Sequence, residues 1–461
     1  MSWVASIATL GLLLALGGFP WRLRGERGRT ASLVRAFLAG AVALHLSFEL
    51  LAVAGLRWSL VPLLGVAAAV QAVTWRWRDR LRPAPVVAPT WGDGVALAAI
   101  GIFAALAWRL EAVTPDFVYH WGSKARRFAH AGGVDVDFLS LNSAFRLQPQ
   151  YPCLPIDLAA MPGALFGSGS IAASLVPSLA AFALMPLVAR DLLARTGAGT
   201  RVRAGLLAAW TLVIARFAIG HRMGGQADLL IALAVVAALP ALLEPRATTA
   251  TRDLALAAAV AAAAKTEGLA IALLLVAVHS AQVAVASLRS GEALRHLRSR
   301  VSLPLLAVAI SAAPWLLRNA RHGLAGDDLL GGYRWERATT AVVEIARWLA
   351  ASPATEWSVW PVAALAAIPA LLLHRRTRFV GVLAAGMLAL DVVAYSGGVP
   401  EVPRWVATSF PRLLFHVVPL VLLAVAVELA RKMPGARSDS DTVPAASAEP
   451  GRADRSARLN R

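Results

Sequence analysis

Asp116, His120 and Lys124 stand at four-residue intervals in the stretch TPDFVYHWGSKARRFAHAGG. On a helix that spacing puts a carboxylate, an imidazole and an amine on one face. Such a face can accept a proton or meet a phosphate. A YPCLP segment with Tyr151 follows at 151–155. Further along stand Asp228 in HRMGGQADLL, Lys265 and Glu267 in KTEG, and Arg412 and His416 in TSFPRLLFH. Each has a plainer reading. Asp116 and Asp228 suit the start of a helix, where the dipole favours a carboxylate. Lys265 and Glu267 can pair within a turn. Arg412 and His416 suit the outer start of a helix as interfacial anchors. His120 and Lys124, with Arg126 and Arg127, make a basic face that meets lipid headgroups. Asp116 and His120 could share a metal, but two ligands are too few for a site. His45 and Glu49, also four apart, read as a polar pair inside an apolar helix, and Asp391 is a second intramembrane carboxylate.

The elements that must position these residues are apolar. The chain has 461 residues, 58% hydrophobic and 16% charged, with a mean hydropathy of +0.63. Soluble proteins carry about 25% charged residues, so this is an all-α polytopic membrane protein. The net charge of +18 comes mainly from Arg in short loops between apolar spans, where cytoplasmic loops carry it. That excludes nucleic-acid binding as its cause. The only lysines are Lys124, Lys265 and Lys432. The single cysteine, Cys153, allows no internal disulfide and reads as a small apolar filler.

Apolar spans fall near 1–19, 31–55, 59–75, 94–113, 169–189, 204–220, 228–243, 254–264, 265–287, 302–318, 358–373, 379–396 and 411–430. That gives about 13 transmembrane helices, with a range of about 11–14 because lengths near 20 residues are needed to span. KTEG separates the eighth and ninth. Arg-rich loops then all fall on one side, with the N-terminus outside and the C-terminus inside. Residues 1–430 form the transmembrane domain. Within it 114–168 is a first large periplasmic loop, helical in part, and 319–357 a second long periplasmic segment. Residues 431–461 read as a disordered cytoplasmic tail. On this topology the ionisable residues above share the outer face.

The order of these motifs resembles the GT-C class of membrane glycosyltransferases. Within it the chain is similar to the bacterial RgtA/B/C/D-like group, related to protein O-mannosyltransferases and the lipid A aminoarabinose transferase. PDFVYHWGSKA matches the acidic start of the first periplasmic loop, with Asp116 in the acidic position and Tyr119, His120, Trp121 and Lys124 around it. Tyr151, Pro152, Leu154 and Pro155 match a YP-x-L-P-like segment; Asp228, the Lys265 turn and FPRLLFH match later motifs. The likeness covers roughly 94–430. Phe117 stands where many relatives carry a second carboxylate, and three spans precede the one leading to Asp116 where many relatives have one.

The resemblance implies a GT-C-like fold in the bacterial inner membrane, with an extracytoplasmic active site. It implies a polyprenyl-phosphate sugar donor and a lipid, polysaccharide or protein acceptor. Asp116 is the expected general base. Lys265 and Arg412 are expected at the donor phosphate, followed by Lys124 and His416. Asp228 is the second expected catalytic residue, orienting the sugar, the base's neighbour or a metal, and Glu267 is expected to bind the donor; Tyr151, His120 and Trp121 line the pocket. No metal ligand set and no cofactor are assigned; the class is compatible with a divalent cation, and Phe117 in place of a second carboxylate counts against one. A transporter or flippase, and a non-catalytic envelope-assembly protein of the same fold, are the competing classes.

Overall fold

The computed structural model describes residues 2–19, 28–76, 87–141, 148–245, 247, 249–290, 294–324, 334–351, 359–397 and 401–433. The expected tail therefore lies outside the described residues from 434 onward, as do parts of both long loops. The described part is helical throughout, with an isolated parallel bridge between Val113 and Gly224. The helices are α1 (Ser2–Leu16), α2 (Gly28–Val53), α3 (Leu60–Arg76), α4 (Trp91–Trp108), α5 (Gly122–Ala131), α6 (Val136–Ser140), α7 (Leu154–Phe166), α8 (Ile171–Ala194) and α9 (Thr200–Gly220). They continue with α10 (Asp228–Leu243), α11 (Ala250–Ala264), α12 (Thr266–Ser290), α13 (Leu294–His322), α14 (Trp335–Ala351), α15 (Val359–Leu373), α16 (Arg378–Ser396) and α17 (Val402–Lys432). A π turn, Phe117–Trp121, leads into α5.

Eight helices are long and apolar enough to cross a membrane: α2, α4, α8, α9, α12, α13, α16 and α17. The chain is thus a polytopic, all-helical membrane protein. Each of the other five expected spans is also a helix, but a shorter one: α1, α3, α10, α11 and α15. At about 1.5 Å per residue, the 15 residues of α11 rise about 22 Å, less than the ~30 Å hydrocarbon core.

The first long loop was expected to be helical in part, and α7 is one of its helices; α14, in the second long segment, was not expected from the sequence. α7 holds 13 apolar-rich residues with Pro at its first turn and Pro162 inside it. Proline near a tight polar segment reads as a turn, yet at a first turn its missing N–H costs nothing. α14 buries Ala341 against α16 and α17; Arg337, one turn earlier on that face, donates to the Gly397 carbonyl at 2.9 Å, while Arg347 is exposed. Its charges made it read as a polar segment. α17 starts nine positions before the expected 411, so Arg412 and His416 lie well inside a helix rather than at its outer start.

The middle of the bundle is α10 and α11. Every residue of α10 from Asp228 to Leu239 is buried, and α11 is buried over Leu254–Ala255 and Ala257–Ala264. α11 is mostly alanine there, which lets neighbouring backbones approach closely. α10 packs on α8, α11 and α17, while α11 packs on α2, α12 and α13. The chain breaks at Lys265, whose backbone is extended (φ −164°, ψ 160°). Its carbonyl accepts from Leu269 N at 3.1 Å and so starts α12. Gly268 makes this turn possible. A Cβ there would stand 2.2 Å from the Ala261 carbonyl oxygen. Gly268→Val is therefore expected to force α11 and α12 apart at a cost of about 1–3 kcal/mol. The check is a thermal melt of the detergent-solubilised protein, where an unchanged midpoint would contradict this packing.

Candidate functional site

Two segments far apart in sequence are joined first by backbone. Gly224 N donates to the Ala112 carbonyl at 2.9 Å, and Thr114 N donates to the Gly224 carbonyl at 3.3 Å. This bridge sets the residues before Asp116 beside those before Asp228. Gly225, at φ +80°, lies so close to the Phe117 ring that a Cβ would fall 2.4 Å from it. Only glycine suits both that backbone and that gap. Ser178 of α8 accepts from Gly225 N at 3.1 Å. Asp116 precedes the π turn without capping it, so its carboxylate is free to turn elsewhere.

Arg412 Nη1 donates to that carboxylate. The Gln226 amide sits between the two acidic residues. With its nitrogen toward Asp228 Oδ2 (3.1 Å), its oxygen accepts from Thr114 Oγ1 (2.8 Å) and Arg412 Nη1 (3.1 Å). This orientation satisfies both ends of the amide; the reverse would leave Asp116 Oδ2 as a long acceptor at 3.4 Å. Asp228, with no exposed surface, opens α10. Its Oδ1 meets His416 Nε2 at 2.9 Å and Lys265 Nζ at 3.5 Å. Lys265 also reaches Glu267 Oε1 at 3.2 Å. One connected network thus runs from Asp116 through Arg412 and Gln226 to Asp228, then to His416, Lys265 and Glu267. Three carboxylates face two permanent cations and an imidazole. Asp391 of α16 lies within electrostatic reach of Glu267, Lys265 and Asp228, and its Oδ2 has no partner among the described residues.

Aromatic residues adjoin this network. Trp121 and Tyr151 stack with centroids 5.7 Å apart, and His120 packs 4.4 Å from Trp121 and 5.7 Å from Tyr151. Burial, with Lys124, Lys265 and Arg412 nearby, holds the His120 imidazole well below its ordinary pKa. Its buried Nε2 has no partner among the described residues. Burial, reinforced by Glu267, pushes the Tyr151 phenol up, which keeps it a hydrogen-bond donor.

Lys124 does not join the network. The π turn widens the helix by a residue, and Asp116, His120 and Lys124 go separate ways. Lys124 is 1% exposed and donates to the Gln148 carbonyl at 3.0 Å. It lies toward a second buried cluster. There His45 Nδ1 meets Asp157 Oδ2 at 2.7 Å, and Arg318 Nη1 donates to Glu49 Oε1 at 2.6 Å. His45 and Glu49 are thus not paired with each other, as their spacing implied. Each binds a residue brought by another helix. Arg318 Nη2 also donates to Cys153 Sγ at 3.1 Å, so this thiol is more than a filler. Asn319 holds the Gln150 carbonyl at 2.7 Å. Ligand atoms of His45, Glu49 and Asp157 lie within 4.8 Å of one another. Two carboxylates and Arg318 leave one negative charge, which a protonated His45 or a cation would balance.

The structure brings together Asp116, Asp228, Lys265, Glu267, Arg412 and His416, with His120, Trp121 and Tyr151 alongside. Arg127 pairs with Asp135 at 2.6 Å on an exposed face, as a surface residue would. Sequence reading passed over Thr114, Gln226, Asp157, Arg318 and Asn319. A signal existed for Asp157, a lone carboxylate in the apolar run of α7. None existed for Gln226, whose role depends on the bridge to Ala112. Comparison of the chain with protein-family models, curated proteins and solved structures found no match.

Two measurements test this site. Asp228→Asn would leave Lys265 and His416 buried with too little negative charge, a loss of about 3–5 kcal/mol for a broken buried pair. The melting midpoint should fall, and adding Lys265→Met should restore part of it. Lys124 supplies a pH test. Burial, with Arg318 opposing the charge, pulls its pKa from 10.5 to about 7. Between those values the unfolded chain holds the proton and the folded one does not. Stability from this residue therefore rises from pH 7 toward 10.5 and is lost as pH falls to 7. Lys124→Met should flatten a plot of melting midpoint against pH in that window.

Proposed function

We propose that this chain is an integral-membrane glycosyltransferase of the GT-C type. It would move a sugar from a polyprenyl-phosphate donor to an acceptor at the periplasmic face of the bacterial inner membrane. The observation that carries the reading is convergence. Asp116, Asp228, Lys265 and Arg412, drawn from four parts of the chain, form one hydrogen-bonded, charged cluster. They are the residues the family resemblance selects. About 13 spans, with this cluster on the outer side, is the topology in which the Arg-rich loops share the cytoplasmic side.

The chemistry needs a base and a cationic seat. An acceptor hydroxyl attacks the anomeric carbon; the new C–O bond forms as the bond to the phosphate oxygen breaks. The hydroxyl proton passes to the Asp116 carboxylate, and the electron pair leaves with polyprenyl phosphate. One displacement inverts the anomeric centre. Asp116 is half-exposed, its side chain 48% accessible, so an acceptor can reach it. Arg412 and Lys265 offer charge to the leaving phosphate, preorganised because their partners already hold them. Asp228, Gln226 and His416 fix those cations. Tyr151, Trp121 and His120 form the aromatic side of a sugar pocket. No metal is assigned a step, because side-chain cations already meet both catalytic-site carboxylates.

The buried His45–Asp157 and Arg318–Glu49 pairs favour one second reading, a transporter or flippase, since charges inside a bundle also mark ion paths. A transfer assay with radiolabelled polyprenyl-phosphate sugars on isolated membranes separates the two. The expected result is transfer by the wild type, reduced ~100-fold or more in Asp116→Asn, in the range of a lost general base. Lys265→Ala is expected to weaken donor binding. Wild-type rates from a folded Asp116→Asn protein would end the base assignment.

A further inference from the structure

A groove of about 680 Å³ lies outside the charged network, between α5, α7 and the first turn of α8. Asp228, Lys265, Arg412 and His416 are not among its lining residues. Small residues create it. Ala159, Ala160 and Gly163 of α7 face Ala125 and Ala129 of α5. A Cβ at Gly163 would come within 3.0 Å of the Ala129 Cβ, so glycine sets how closely the two helices can lie there.

The charge around it has one sign. Arg126 and His130, one turn apart on α5, line the groove, and no carboxylate does. Neighbouring Arg127 is neutralised by Asp135. Arg126 and His130 are exposed and make no ion pair among the described residues. Ser123, Ser168 and Ser174 add hydroxyls, and Phe117, Val118 and Ile171 add apolar wall. Ile171 is also the first residue of a helix able to cross the membrane. The groove therefore stands at the end of a span, where a lipid leaning on α8 would present its headgroup. An amphipathic lining with an unpaired guanidinium and an imidazole that can donate a hydrogen bond suits a phosphate group attached to acyl chains.

We infer that this groove binds the phosphate headgroup of an anionic membrane phospholipid. The headgroup bridges Arg126 and His130 on α5 to the serines at the start of α8. It thereby steadies the π turn that follows Asp116. The binding does not depend on the transferase reading.

The test uses the purified full chain in nonionic detergent, titrated with dihexanoyl phosphatidylglycerol, dihexanoyl phosphatidylcholine and inorganic phosphate, with binding followed by microscale thermophoresis. Saturable binding of the phosphatidylglycerol is expected, at least tenfold tighter than of the other two. Arg126→Gln should weaken it about tenfold. Gly169→Trp should also weaken it. Gly169 lines the groove, and a Cβ there meets nothing within 4 Å, so a side chain can start there without a clash; an unchanged melting midpoint checks that the variant folds. Arg127→Gln should bind as the wild type does. Equal binding by all variants, or equal affinity for the phosphatidylcholine, overturns the site. Equal affinity for inorganic phosphate overturns the lipid and leaves a free-anion site. A wild-type transfer rate in Asp116→Asn would remove the catalytic reading and leave this one standing.

Discussion

A carboxylate with no exposed surface must be compensated, and Asp228 is the group on which the arrangement turns. Removing an ionised carboxylate from water costs several kcal/mol even after relaxation. Its neighbours must then supply charge and hydrogen bonds at close range. They come from three places: the break between α11 and α12 for Lys265, the interior of α17 for His416, and the turn before α10 for Gln226. Satisfying one buried carboxylate thus fixes where three helices meet. Lys265 can reach only because its backbone leaves the helix there. Arg412, one turn before His416 on α17, is carried to Asp116 by the same placement.

The second cluster ties down the segment 148–157. Lys124 holds Gln148, Asn319 holds Gln150, Arg318 holds Cys153, and His45 holds Asp157. Four side chains from α5, α13 and α2 grip one short stretch. Tyr151 lies in that stretch, and its position against Trp121 and His120 follows from the grip. The stretch is thus held at four points. The aromatic group and the charged network are thereby held in register with each other.

The two clusters divide the work that their residue types suggest. The one around Asp228 ends at a half-exposed carboxylate, Asp116. The one around Asp157 is enclosed, and its ion pairs bind helices to one another. Buried ion pairs add little net stability over apolar packing, but they penalise wrong arrangements heavily. In a bundle of helices that are apolar on most faces, such penalties help choose one packing among many.

Much of the fold was legible in the sequence because a bilayer imposes length and polarity on its spans. All thirteen expected spans are helices, and the break at Lys265 was visible as KTEG between two apolar runs. The candidate residues were legible as polar groups that an apolar chain has reason to hide. What the sequence did not contain was their pairing. The four-residue spacing of Asp116, His120 and Lys124 suggested one shared face, but a π turn changes the local period and sends Lys124 to another cluster. His45 and Glu49 looked like partners, yet each is matched by a residue more than 100 positions away. The bounds of α7, within the loop expected to be helical in part, and α14 as a whole were hidden because proline and charge at their ends imitate loops. Partner choice in a buried site depends on which helices touch. That depends on where small residues let backbones approach, a sum over many contacts that local spacing cannot express.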